Sequence, residues 1–223
     1  MSILITGAGG GLGYAVVEAF LETGATVYGV DITAWSMHVP HNSTHFHTIG
    51  ADVNTDEGCD TAVESAAPVH ALIHLVGGYA GGQNVTETDD ATFDRMINLN
   101  LRSAFRIIRA ALPGMAQAGK GRIVVMGSRA ADEPMAGSAA YNASKAALNA
   151  LVRTIALETK NSGITINAVA PSIIDTPANR AAMPSAKHSQ WVKPESIAKL
   201  LVWLASDAAA DISGAVIPIY GRA

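Results

Sequence analysis

Short apolar runs alternate with amphipathic segments along the first part of the chain. SILIT (2–6) and ATVYGV (25–30) are rich in apolar and β-branched residues, which is typical of buried strands. Between them, LGYAVVEAFLET carries apolar residues at helical spacing and stops before Gly24, a residue suited to ending a helix. The pattern therefore predicts a strand, a helix and a second strand.

The same alternation continues through the rest of the chain. Further strands are predicted in THFHTIG, VHALIHLV, RIVVM, ITINAV and AVIPIY. Helices are predicted in DEGCDTAVESA, from about Asp89 to Ala111 with an end near Pro113, over 138–160, and in PESIAKLLVWLA. Parallel strands need crossover connections and are covered on both faces. We therefore predict an α/β fold, a doubly wound parallel sheet of about seven strands with helices on both faces.

Length and composition narrow the classes of function. The 223 residues contain no Pro/Ser-rich linker, so one domain over 1–223 is expected. A net charge of -4 gives no electrostatic case for nucleic acid, which leaves a small molecule as the expected partner. We expect a cytoplasmic protein, because Cys59 is the single cysteine and the sequence shows no leader-like segment. We expect no membrane span, because no apolar run reaches about 20 residues.

A glycine-rich turn, TGAGGGLG (6–13), joins the first strand to the first helix. Glycines at such a turn let backbone N–H groups and the positive end of the helix dipole approach a pyrophosphate. Tight turns also need glycine for positive φ alone, but the position at the first crossover favours dinucleotide binding. The candidate cofactor residues are Gly7, Gly11, Leu12 and Gly13.

Asp31 ends the second predicted strand, about twenty residues after the glycines. A carboxylate there accepts hydrogen bonds from ribose hydroxyls and repels a 2′-phosphate, and ITAWS (32–36) offers no lysine or arginine. These features favour NAD(H) over NADP(H), although a helix cap or a turn carboxylate is the alternative interpretation. Asp52 and Val53, after the third strand, fit an adenine-contacting turn.

Tyr141 and Lys145 lie four residues apart in YNASK, and so on one face of a predicted helix. A nearby ammonium is expected to lower the pKa of the phenol, which favours proton transfer at neutral pH. Most such pairs are ordinary surface pairs. Ser128, however, is predicted at the C-terminal end of the fifth strand, where open α/β sheets bind ligands, so its hydroxyl and that of Tyr141 can meet on one oxygen.

The glycine turn, Ser128, Tyr141 and Lys145 together resemble the short-chain dehydrogenase/reductase family, whose members have a Rossmann fold. The resemblance covers essentially the whole chain and includes Asn100 in FDRMINLNLRSAF. It implies that Tyr141 exchanges a proton with the substrate oxygen, Ser128 hydrogen-bonds that oxygen, Lys145 holds the nicotinamide ribose, and Asn100 positions a relay water. Hydride would move between NAD(H) and an alcohol or carbonyl carbon.

The resemblance extends to NAVAPSIIDTP, where Ile174 and Thr176 match positions that contact the nicotinamide carboxamide. Ser172 departs from the glycine usual in that segment. A substrate loop is expected around 176–194, with Met183 and Trp191 as candidate substrate residues, although packing alone also explains both.

HLVGGYAGG (74–82) follows the fourth predicted strand. Its first four residues, His74 to Gly77, align with the place where most of the family reads Asn-Asn-Ala-Gly, so Gly77 is expected beside the cofactor. Tyr79 is then carried past the strand end and is predicted to line the substrate pocket. A flexible linker or a second phosphate cradle is disfavoured, because residues 6–13 already serve the phosphates.

Two other functions and a metal site are the alternatives to this interpretation. A local resemblance to dihydropteridine reductase raises the reduction of a flat heterocycle, and the fold could also serve a non-catalytic NAD(H)-responsive binding protein. His38, His41, His45 and His47 crowd one region, but no carboxylate or cysteine completes a set, so no metal is expected. In the family, helices like 89–111 and 138–160 pair between subunits, which implies a homotetramer, with a dimer second.

Overall fold

A computed structural model describes residues 1–32 and 44–222. Its strands form one parallel sheet in the order β3-β2-β1-β4-β5-β6-β7. The strands are β1 (Ser2–Thr6), β2 (Thr26–Asp31), β3 (Phe46–Gly50), β4 (Ala71–His74), β5 (Gly121–Met126), β6 (Ile164–Pro171) and β7 (Val216–Ile219). The predicted doubly wound sheet of seven strands is confirmed.

Helices connect the strands and cover the sheet. They are α1 (Gly13–Glu22), α2 (Asp56–Ala66), α3 (Asp90–Ile97), α4 (Ser103–Ala118), α5 (Ala139–Glu158), α6 (Pro177–Ala182) and α7 (Pro194–Leu204). A π-helical turn, Asn98–Arg102, joins α3 to α4. None of the helices in the described ranges has the length and apolar character needed to cross a lipid bilayer.

Successive strand residues point to opposite faces of the sheet, and each face has its own apolar layer. Leu4 and Ile123 belong to the layer shared with α2, α4 and α5. Ile3 and Ile5 belong to the layer shared with α1 and α7. Both faces of the central strands are therefore covered, which leaves their C-terminal ends open to ligands.

The predicted helix 89–111 differs from the observed arrangement. The segment divides into α3, the π-helical turn and α4, and α4 continues to Ala118 with Pro113 inside it. Pro113 removes one backbone N–H, but it is exposed, so water can bind the carbonyl that loses its donor. α4 ends instead at Gly119, which adopts the left-handed conformation with φ +65.

Candidate active site

The glycine turn between β1 and α1 leaves no room for side chains at two of its positions. Gly7 has φ +73, and a Cβ there would lie 3.0 Å from the backbone nitrogen of Val76. A Cβ on Gly13 would lie 2.2 Å from the carbonyl oxygen of Ala8. The turn therefore packs backbone against backbone and lies at the N-terminus of α1, where the helix dipole favours an anion.

Gly11 places the turn against the segment that follows β6. A Cβ on Gly11 would lie 3.1 Å from Cβ of Thr176. Leu12 precedes α1 and packs, partly buried, against the layer of α1 and α7. The segment predicted to bind the pyrophosphate thus meets, at Gly11 and Thr176, the segment predicted to contact the nicotinamide carboxamide.

Asp31 binds the glycine turn directly. Its Oδ2 accepts a hydrogen bond from the backbone N–H of Gly9 at 3.0 Å, and its Oδ1 accepts one from Ile32 at 2.8 Å. Each carboxylate oxygen has a further lone pair for a ligand hydroxyl. The turn interpretation and the ribose interpretation of Asp31 are therefore compatible in one conformation.

A cleft of about 250 Å³ opens beside Asp31 at the C-terminal ends of the strands. Asp52 and the buried Val53 line it, together with Gly77. Oδ1 of Asp52 accepts two hydrogen bonds of 2.9 Å from the backbone and the side chain of Asn54, which fixes the turn. The glycine cradle and this cleft together fit a nucleotide.

Ser128 and Tyr141 meet beyond the end of β5. Ser128 caps a short 3-10 turn, with its Oγ accepting from the backbone N–H of Ala130 at 3.2 Å, and it is only 8% exposed. Burial raises the pKa of the Tyr141 phenol; a hydrogen bond with Ser128 lowers it, and nearby Tyr79 raises it further. The two hydroxyls predicted to act on one oxygen are thus brought together.

Lys145 lies one helical turn after Tyr141 and is 4% exposed. Its Nζ donates a hydrogen bond of 2.8 Å to the backbone carbonyl of Met126. Burial lowers the pKa of Lys145 to about 8. The predicted lowering of the Tyr141 pKa is not what this structure shows: the pKa is raised, because burial dominates.

Asn100 projects from the π-helical turn and clamps the loop after β4. Its Oδ1 accepts from the backbone N–H of Gly78 at 2.9 Å, while Nδ2 donates to the Gly78 carbonyl and to Ser144 Oγ, both at 3.0 Å. A Cβ on Gly77 would lie 2.9 Å from Asn100 Oδ1 and 3.3 Å from Lys145 Nζ. A side chain at position 77 would therefore displace side chains of the predicted catalytic group.

His74 is a buried link that the sequence did not reveal. Its Nδ1 lies 2.8 Å from Thr6 Oγ1 and its Nε2 lies 3.2 Å from Ser103 Oγ, which itself donates to the Leu99 carbonyl. Because the Ser103 proton is used, Nε2 donates to Ser103 and Nδ1 accepts from Thr6. The imidazole is neutral, and burial, reinforced by the positive charge of Lys145, lowers its pKa to about 3.

Tyr79 stands at the rim of this arrangement. Its ring meets the Tyr141 ring edge to face, with centroids 5.0 Å apart and an interplanar angle of 76°. Its hydroxyl lies 3.0 Å from Ser138 Oγ, and 58% of the residue is exposed. The structure therefore places Tyr79 against the predicted catalytic tyrosine.

The segment after β6 is held by backbone and side-chain hydrogen bonds. Ile174 bridges to Val192, and Thr176 caps α6 by accepting from Asn179 N–H at 3.3 Å. Met183 is half-buried. Trp191 is only 7% exposed and packs against His188 at a centroid distance of 4.5 Å. In this conformation Trp191 packs as a core residue, and its contact with substrate stays a prediction.

The histidine-rich region is only partly within the described residues. His38 and His41 lie outside the described residues. His45 immediately precedes β3, and His47 lies within it. Within 1–32 and 44–222, no group of three or more His, Cys, Asp or Glu residues could hold a metal ion.

Comparisons with known proteins agree with this geometry. The model of the short chain dehydrogenase family matches residues 1–187. The 3-oxoacyl-acyl-carrier-protein reductase FabG of Pseudomonas aeruginosa is 33% identical over 236 residues, covering 98% of this chain and 95% of that protein.

Two solved structures carry different nicotinamide cofactors. A 3-ketoacyl-acyl-carrier-protein reductase of Brucella melitensis complexed with NADH superposes with a TM-score of 0.88 at 26% identity, covering 98% of this chain and 96% of that one. ElxO with NADP bound superposes with a TM-score of 0.90 at 26% identity, covering 99% and 98%.

Proposed function

Because the chain belongs to the short chain dehydrogenase family, we propose that this oxidoreductase transfers a hydride between NAD(H) and an alcohol or carbonyl substrate. The observation that carries the proposal is the meeting of Ser128 and Tyr141 beyond β5, with Lys145 one turn along the same helix. Hydrogen-bond donors that are already in position stabilise the negative charge that develops on the carbonyl oxygen during reduction.

Each polar side chain has a distinct part in the proposed mechanism. Tyr141 gives its proton to the carbonyl oxygen during reduction and takes it back during oxidation, while Ser128 hydrogen-bonds that oxygen. The buried ammonium of Lys145 favours the phenolate form of Tyr141 whenever the proton has left. The bound nicotinamide supplies or accepts the hydride.

Asn100 supports this group from the side. Its amide holds the backbone of Gly78 and joins it to α5 through Ser144, so the loop after β4 keeps a fixed distance from Lys145. We assign to Asn100 the positioning of a water that passes protons to the site.

The proposed cofactor is NAD(H) rather than NADP(H). The Asp31 carboxylate would accept hydrogen bonds from the ribose hydroxyls and repel a 2′-phosphate. Residues 32–45 contain no lysine or arginine that could bind such a phosphate. The cradle would consist of Gly7, Gly11, Leu12 and Gly13, with Asp52, Val53 and Gly77 at the adenosine side and Tyr141, Lys145, Ile174 and Thr176 at the nicotinamide side.

The proposed substrate contacts and assembly follow the same arrangement. Tyr79, Ser128, Met183 and Trp191 would surround the substrate, the last two through the segment 176–194. A homotetramer is proposed, with a dimer second, because helices like α4 and α5 pair between subunits in the family. The apolar cleft of about 510 Å³ along α4 and α5 suits such a contact.

The test is NADH oxidation by purified protein with a panel of ketones, repeated with NADPH. We expect turnover with NADH, a lower kcat/KM with NADPH, and a fall of about 10²- to 10⁴-fold in kcat for Tyr141→Phe, since a proton donor is removed. NADH affinity, measured by fluorescence titration, should persist in that variant.

Tyr28→Phe is the matched control, because it removes a phenol hydroxyl from β2 at a distance from the proposed site. Turnover by Tyr141→Phe at the rate of the unaltered protein would show that the mechanism is wrong. NADH binding without any ketone reduction would favour a binding protein instead.

A further inference from the structure

Tyr79 presents a large aromatic surface that nothing in the described chain covers completely. The residue is 58% exposed although its ring touches Tyr141, with centroids 5.0 Å apart. Because the two rings meet nearly at right angles, at 76°, the contact with Tyr141 leaves most of the Tyr79 ring accessible. An accessible aromatic surface thus lies beside Tyr141, the proposed proton donor.

The Tyr79 ring is held in place on two sides. Its hydroxyl is hydrogen-bonded with Ser138 at 3.0 Å. Gly81 leaves the space the phenol occupies, since a Cβ there would lie 2.1 Å from the Tyr79 hydroxyl oxygen. A substrate that stacks on this ring would therefore not have to immobilise it.

The loop that carries Tyr79 is also tied to the loop before α5. The backbone N–H groups of Gly82 and Gln83 both donate to the carbonyl of Gly137, at 2.8 and 3.3 Å. Asn142, the residue after Tyr141, donates from its side chain to the carbonyl of Met135 at 2.9 Å. Tyr79 and Tyr141 are therefore fixed relative to each other through backbone contacts as well as through their rings.

We propose that Tyr79 selects substrates whose reacting carbonyl carries a planar, unsaturated ring, which stacks on the accessible face of Tyr79. The proposal rests on the proposed function, because it places the carbonyl at the Tyr141 hydroxyl. A group attached to that carbonyl then lies beside Tyr79, and a flat ring gains contact with it that a puckered ring of similar size does not.

The test compares acetophenone with cyclohexyl methyl ketone, which differ in the planarity of the ring beside the same methyl ketone. The measured quantity is the ratio of their kcat/KM values with NADH. Comparing this ratio between variants removes the intrinsic difference in reactivity between the two ketones.

Tyr79→Leu should lower the ratio by about five- to tenfold, because it removes the stacking face. Tyr79→Phe keeps the face and should change the ratio by less than about threefold. Gly81→Ala keeps the tyrosine but moves its phenol, and should resemble Tyr79→Leu. Trp203→Leu removes another exposed aromatic residue, from α7, and should leave the ratio unchanged.

A binding measurement separates this inference from the proposed function. Benzamide and cyclohexanecarboxamide are titrated calorimetrically into the NADH-loaded protein, because neither amide accepts hydride under these conditions. If benzamide binds more tightly than cyclohexanecarboxamide, and Tyr79→Leu abolishes this difference, the result supports the inference even where no ketone is reduced. Ketone turnover with a ratio that is equal in all variants would overturn the inference while leaving the proposed function intact.

Discussion

His74 shows how one residue couples protonation to folding. Its two ring nitrogens are occupied by Thr6 and Ser103, and burial lowers its pKa from the ordinary 6.5 to about 3. Between those pH values His74 binds a proton in the unfolded chain but not in the folded protein. The contribution of neutral His74 to stability is therefore complete above pH 6.5 and is lost progressively as the pH falls towards 3.

We accordingly predict that His74→Asn makes the protein less sensitive to acid. Titration of His74 alone should lower the free energy of unfolding by about 2 kcal/mol between pH 7 and pH 5, and the variant should lack this component. Urea denaturation at both pH values measures it. His47→Asn, an exposed position on β3, is the control. A stability difference between the unaltered protein and His74→Asn that is the same at both pH values would contradict the prediction.

At this scale the sequence predicted side-chain neighbours better than it predicted their energetics. Helical spacing was enough to place Tyr141 and Lys145 on one face, and the strand end was enough to bring Ser128 to them. The direction of the Tyr141 pKa was not predictable, because it depends on how much solvent the folded site excludes. The paired hydrogen bonds of His74 depend on two residues distant in sequence, and spacing says nothing of them.

At the scale of elements, the turn between β1 and α1 depends on the absence of side chains. We predict that Gly13→Ala lowers the free energy of unfolding by about 1–3 kcal/mol, because its Cβ would lie 2.2 Å from the Ala8 carbonyl oxygen. NADH affinity should fall with it, since the N–H groups of the turn move. Thermal unfolding and fluorescence titration are the measurements.

Gly114→Ala is the matched control for this substitution. Gly114 lies inside α4, and a Cβ there meets nothing within 4 Å. The change should be neutral or should stabilise the protein by up to about 1 kcal/mol, because alanine favours helix. Equal melting temperatures for Gly13→Ala and the unaltered protein would show that the turn adapts.

The alternation of strands and helices could be predicted because buried parallel strands are mostly apolar and their crossover helices are amphipathic. The π-helical turn was not readable. Its residues, Asn98–Arg102, continue the helical spacing on either side, and the extra residue shows only where the Asn100 amide reaches Gly78 and Ser144. The helix end predicted near Pro113 was wrong because an exposed helix face tolerates a missing backbone hydrogen bond.

At the scale of the molecule, α4 and α5 expose an apolar cleft that suits association of subunits. Phe105, on α4, lines this cleft and is 45% exposed. We predict that Phe105→Asp shifts the protein from a tetramer to smaller species, because a charge buried in an apolar interface is costly. Sedimentation velocity at micromolar concentration measures it.

Val85→Asp is the control for this prediction, since Val85 is 72% exposed but lies outside both helices. That variant should sediment as the unaltered protein does. If the unaltered protein sediments only as a monomer, the proposed homotetramer is wrong.

The edge of the sheet formed by β7 bears on how copies of this chain can meet. Pro218 pairs with Ala170 in the middle of β7 and has no N–H to donate. A further strand added to that edge would find an interrupted row of donors, which is how many proteins discourage uncontrolled strand-to-strand aggregation. Growth of the sheet across its β7 edge into a neighbouring molecule is thus disfavoured.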